Sequence, residues 1–130
     1  MSIVVDPRAN TGQGTSGTGN SSTSGSPWIF PNNPTAKTGN YTITALDGTI
    51  KIDANAAQRT VNLPDAATFY ANGMGQVFVI KKVDASANTV VIQAANNQMI
   101  DGFNTVVINQ QWDGIMLQSF GTGWDILSTI

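Results

Sequence analysis

From Tyr41 onward the chain alternates apolar and polar residues in short runs, each closed by Gly, Asp or Asn. Tyr41, Ile43 and Ala45 alternate with Thr42 and Thr44, Asp47-Gly48 is a hairpin signal, and Ile50 and Ile52 resume the alternation. Val61 and Leu63 form the next inward pair, followed by a strand end and turn at Leu63-Pro64-Asp65-Ala66-Ala67. Residues 66–72 suit a single helical turn, with Asp65 as N-cap and Gly73 as stop. Residues 77–80 are apolar at every position, which predicts the most buried strand. Residues 84–88 turn the chain, and Val90/Ile92, Val106/Ile108, Ile115/Leu117 and Trp124/Ile126 supply further inward pairs. β-Branched runs punctuated by Asp101-Gly102, Asp113-Gly114 and Gly121-Thr122-Gly123 predict an all-β domain over 41–130. The expected architecture is an antiparallel, jelly-roll-like β-sandwich of about eight or nine strands.

Residues 1–40 carry a different pattern. Ile3-Val4-Val5 is an apolar tip closed by Asp6-Pro7, and Pro7 favours an extended Asp6. From Arg8 to Pro27 the chain is almost entirely Gly, Ser, Thr and Asn, a composition with too little apolar surface to offset its own ordering entropy. This predicts an extended N-terminal arm. Gly12, Gly14 and Gly17 match a dinucleotide-loop spacing, but no helix-forming segment follows to place its N-terminus under a phosphate. Trp28, Ile29 and Phe30 sit between Pro27 and Pro31. They suit either a plug for one end of the β-domain or an anchor that docks into a partner or sister subunit. The arm with its tip and Trp28-Ile29-Phe30 is the expected attachment element.

Composition narrows the chemistry. Only 11% of the 130 residues are charged against 41% hydrophobic. Such a surface is easier to bury against neighbours than to keep dispersed. The net charge of −2, with basic residues scattered except at Lys81-Lys82, argues against nucleic acid. In a central strand, Lys81-Lys82 suggests one exposed lysine and one at a subunit seam. Cys and His are both absent, which removes disulfides, thiolate nucleophiles, the commonest general base and imidazole ligands. All eight acids are Asp, a residue of turns rather than helices. No apolar run is long enough for a membrane span, and no basic-headed apolar segment opens the chain.

Glycan hydrolysis would need two carboxyls about 5–9.5 Å apart with one in a protected environment. Asp47, Asp101 and Asp113 each precede Gly in a turn, where Asp has a structural use, so no catalytic residue is assigned. Asp84-x-Ser86-x-Asn88 opens like a calcium loop but lacks the Gly at its sixth position and the Glu at its twelfth, where Ala95 stands. No metal or cofactor is expected. Trp112 beside Gln110 and Gln111 has two readings: an aromatic packed in an interface, or a stacking face with amides for sugar hydroxyls.

Leu63-Pro64-Asp65-Ala66, Gly75-Gln76 leading into Ile80-Lys81-Lys82-Val83-Asp84, Asn88-Thr89-Val90, Met99-Ile100-Asp101-Gly102 and Gly123-Trp124-Asp125-Ile126-Leu127 occur in a familiar order. Over about residues 41–128 the chain resembles a small β-domain of bacteriophage virion proteins: capsid decoration proteins, head fibres and tail-fibre tips. The resemblance implies a homotrimer on the exterior of a phage particle, made in the host cytoplasm. Its partner would be the major capsid protein or another virion protein. Between roles, the arm favours capsid decoration or a head fibre. The alternative is a receptor-binding tail-fibre tip that recognises a host glycan. One departure is Phe120, which stands where relatives carry a polar turn residue and is placed to pack against a neighbour.

Overall fold

The computed structural model describes residues 34–130. Among these residues the fold is all-β, with ten strands and one 3-10 turn. The strands are β1 (Tyr41–Thr42), β2 (Thr49–Ile52), β3 (Arg59–Asn62), β4 (Tyr70–Ala71), β5 (Met74–Gly75) and β6 (Val77–Lys82). They continue with β7 (Val90–Gln93), β8 (Thr105–Ile108), β9 (Gly114–Ser119) and β10 (Trp124–Thr129). One four-stranded sheet runs β1-β3-β7-β8, a second runs β10-β9-β6-β2, and β4 and β5 form a separate ribbon.

The sheets are mixed, which corrects the antiparallel expectation. β1 pairs parallel with β3, β3 with β7, and β2 with β6. From β1 to β7 the chain passes from one four-stranded sheet to the other, so each parallel crossover contains a strand of the opposite sheet instead of a helix. Direction reverses only afterwards: β8 is antiparallel to β7, β9 to β6, and β10 to β9.

The failure of the hairpin signal at Asp47-Gly48 has a local cause. Asp47 is buried, at 8% exposure. Its carboxylate accepts bonds from the Tyr41 hydroxyl at 2.8 Å and the Thr44 N–H at 2.8 Å. An inward carboxylate fastened to the preceding segment makes a corner that carries the chain from β1 to β2 in the other sheet. The alternation accordingly ends at Ile43, and Ala45 is exposed. The true hairpin signal is Asn72-Gly73. Both residues have positive φ, 55° and 76°, as a two-residue turn between β4 and β5 requires. The helical turn is shorter than expected: it covers Ala66–Phe69 and gives way at Tyr70, with the Asp65 carboxylate capping Ala67 N–H.

Both four-stranded sheets contribute to one hydrophobic core. Ile50, Ile52, Phe78, Ile80, Leu117 and Trp124 come from one sheet, and Val61, Val90, Ile92 and Ile108 from the other. Most of the expected inward pairs are buried, and Val106 and Ile126 pack against the core while half-buried. β6 has neighbours on both sides and Phe78, Val79, Ile80 and Lys82 buried, as its apolar run predicted. Phe69 and Phe78 meet edge to face at 5.1 Å, and Trp124 completes the group at 5.8 and 6.0 Å. Such pairs add about 0.5–1.5 kcal/mol each beyond their buried area. Lys37 precedes β1 and is already tied in: its N–H donates to Lys51 C=O, and its C=O accepts from Asp53 N–H, both at 2.8 Å.

Candidate functional site

β8 and β10 are edge strands of the two four-stranded sheets, and the start of β10 is bridged on its outer side by Ile100, which pairs with Trp124. A groove of about 380 Å³ runs between β8 and β10, lined by Val106, Val107 and Ile108, by Ile115, and by Ile126 and Ile130. Asn109 and Asp113 close one end. Val107 and Ile130 in this lining are exposed, as is Leu127 on β10. The register shifts between Ile126 and Ser128, so β10 is bulged at Leu127. A bulge of this kind bends an edge and limits how far a second chain can pair along it.

Trp112 stands in the β8–β9 connection, in the turn closed by Asp113 N–H on Gln110 C=O at 3.2 Å. Its φ is 73°. The other non-glycine residues with positive φ among those described are Asn72, Asn96 and Asp101, whose short polar side chains suit that region. For a bulky residue the left-handed region costs about 1–2 kcal/mol. The backbone is pinned there: Trp112 N–H donates to Lys82 C=O at 2.8 Å, and Lys82 N–H donates to Asp113 C=O at 3.0 Å. The ring stays 57% exposed. Lys81 Nζ lies 5.7 Å from the ring centroid. Lys51 is the register partner of Lys81 across β2 and β6, so both side chains leave the same face of the sheet. Gln111 donates its side-chain amide to Val83 C=O at 3.2 Å, and Gln110 is exposed. Gln110, Gln111 and Trp112 are all exposed in the β8–β9 connection, with Lys81 over the ring and Lys51 in register with Lys81. No local motif could have linked lysines on β2 and β6 to a tryptophan after β8; only the strand register brings them together.

Lys82 corrects an expectation. It is fully buried inside the subunit rather than placed at a seam between subunits. Its Nζ donates to the Asp84 carboxylate at 2.7 Å and to the Asp84 carbonyl at 3.1 Å. The same carboxylate accepts from Ala54 N–H at 2.7 Å, Ser86 N–H at 3.0 Å and the Ser86 hydroxyl. Burial alone would raise the Asp84 pKa, but the bonds from Lys82, Ser86 and Ala54 outweigh it and hold the carboxyl well below its usual range. Asn88 adds donations to Ala54 C=O and Asn55 C=O. Asp84, Ser86 and Asn88, weighed as a calcium loop, thus fasten two loops to each other, and the carboxylate is already occupied.

Asp65 and Asp101 have similar work. Asp65 caps the 3-10 turn and accepts from Gln98, and both bonds lower its pKa. Asp101 accepts from Ile126 N–H at 3.1 Å. Among the described residues no three metal-ligating side chains gather, and no helix is long and apolar enough to cross a membrane. Phe120 is 47% exposed and lies against Gly123. The expected attachment residues Ile3, Val4, Val5, Trp28, Ile29 and Phe30 lie outside the described residues. No protein-family model matches this chain, and no curated protein matches it.

Proposed function

We propose that the protein is a structural component of a bacteriophage virion, a homotrimer on the particle exterior acting as a capsid decoration or head-fibre protein. In this reading the two four-stranded sheets form a sandwich, and the arm over residues 1–40 holds the coat or another virion protein. The observation that carries the reading is the apolar groove between β8 and β10, with Val107 and Ile130 exposed in its lining and Leu127 exposed on β10. Contiguous apolar surface beside edge strands is what subunit association buries, and a chain with 11% charged residues has little to keep that surface apart. The order of short motifs shared with phage virion β-domains supports the same reading.

The test is the mass of the native particle in solution. The full chain should sediment as a trimer at micromolar concentration, and Val107→Lys with Leu127→Lys should shift it towards monomer while leaving the β-rich circular dichroism spectrum intact. A stable monomer of the unsubstituted chain under these conditions would count against the trimer.

A further inference from the structure

We propose that the β8–β9 turn is a binding platform for a carboxylated glycan, with Trp112 as the stacking face and Lys81 and Lys51 as the contacts for the sugar carboxylate. The proposal does not depend on which virion part carries the domain.

Trp112 occupies a backbone position that Gly or Asn would fill without strain, yet its ring is more exposed than buried. Its own fold therefore gains little from having an indole there. What the position does provide is a fixed direction, since hydrogen bonds to Lys82 on one side and from Asp113 to Gln110 on the other immobilise the turn. A rigid exposed ring can stack on the apolar face of a sugar without a large ordering cost.

The surroundings specify the ligand further. Lys81 sits over the ring at 5.7 Å, and Lys51 is level with it on the next strand. Neither lysine has a carboxylate partner within salt-bridge distance among the described residues. Asp113, next to Trp112 in the sequence, lines the groove between β8 and β10, and the Asp53 carboxylate, two residues from Lys51, accepts from Asn55 N–H at 2.8 Å. Gln110 and Gln111 contribute amides suited to hydroxyl groups. One lysine over the ring and a second in register with it on the neighbouring strand match a polymer with a carboxylate on some of its sugars. They match a nucleic acid poorly, because that ligand carries a phosphate at every step and this chain is net negative. A protein partner would favour an apolar surround for the ring, where this turn carries amides.

Calorimetric titration of the full chain tests the idea with four probes: an oligoglucuronate, a sialic-acid oligomer, a neutral glucan of equal length, and a thymidine oligonucleotide. Binding to one or both carboxylated oligomers is expected, at least tenfold tighter than to the glucan and weaker at high salt. Trp112→Gly should reduce that binding at least tenfold while leaving the melting temperature unchanged or higher. Lys81→Gln and Lys51→Gln should each weaken it several-fold and flatten the salt dependence. The proposal is overturned if neither carboxylated oligomer binds at millimolar concentration, if glucan or oligonucleotide binds as well, or if Trp112→Gly binds like the unsubstituted chain. A Trp112→Gly protein that binds no glycan and has also lost its trimer would assign the ring to a protein interface, and overturns it too.

Discussion

Replacing Lys82 by Met tests how much of the fold hangs on one buried ion pair. Met fills similar volume, so the change removes the charge and two hydrogen bonds without opening a large cavity. Asp84 would keep its bonds from Ala54 and Ser86 but lose its Lys82 ion pair. Removing one partner of a buried pair costs about 3–5 kcal/mol, and the three surviving donors argue for the lower end, about 3 kcal/mol. For a domain of about 100 residues, that is a fall in melting temperature on the order of 12–24 °C. The pH dependence carries a sign. The folded Asp84 carboxyl is held below its unfolded value, so its stabilisation is complete above the unfolded value and is lost as pH falls through the folded one. Loss should begin below about pH 5, and Lys82→Met should show a shallower acid decline than the unsubstituted protein. Thermal unfolding by circular dichroism at fixed protein concentration, at pH 7 and in steps down to pH 2, measures both effects. A loss under about 1 kcal/mol at pH 7, with an unchanged acid profile, would refute the claim that this pair fastens the loops.

Further outcomes are expected elsewhere. Gly75→Ala should unfold or severely destabilise the protein, because a Cβ there would overlap the Ser119 carbonyl oxygen, a backbone atom at the end of β9; solubility and thermal melting read this out. The Tyr41 hydroxyl is pushed above its ordinary value by burial and by its bond to Asp47, so stability should fall as pH rises past about 10, and Tyr41→Phe should abolish that decline at a cost of about 1 kcal/mol near neutrality. Serine at Ile3, Val4 and Val5 together should leave melting and self-association unchanged but prevent particle decoration, measured by co-sedimentation with particles. Trp28→Ala should weaken attachment or trimer stability by several-fold or more in the same assay.

Strand positions and core residues were legible because burial imposes a period of two on any sheet, whatever its pairing. Ile50/Ile52, Val61/Leu63 and Val90/Ile92 are inward whether their neighbours run parallel or antiparallel. For the same reason, pairing direction was not legible. Asp47-Gly48 has the letters of a hairpin, and only the inward turn of the Asp47 carboxylate onto Tyr41 and Thr44 makes it a corner between sheets. Asn72-Gly73 carried an equally good signal, hidden by helix-compatible residues just before it. Lys81-Lys82 was read as one exposed lysine and one at a subunit seam because lysine is rarely buried without a partner, and the partner of Lys82 lies two residues on, in the turn that also holds Ser86. The Trp112 surface was half legible. Gln110, Gln111 and Trp112 are contiguous, whereas the lysines beside them depend on β2, β6 and the following loop converging.

The point where the winding reverses explains why the candidate surfaces gather where they do. Up to β7 the strands of the two four-stranded sheets pair in parallel and the connections run between the sheets; here the inward carboxylate of Asp47 and the Lys82–Asp84 pair are committed to closing corners. After β7 the chain turns back, and no later strand covers the outer sides of β8 and β10. The reversal therefore creates the groove. It also requires a tight crossing from β8 to β9, and that crossing holds Trp112 in its strained conformation. Groove and ring lie at opposite sides of the same connection, with Asp113 lining the groove and Trp112 facing Lys81. A subunit interface built on the groove and a ligand on the ring would thus not compete for the same atoms. They would share one backbone segment, so burying the groove would stiffen the turn that presents the ring.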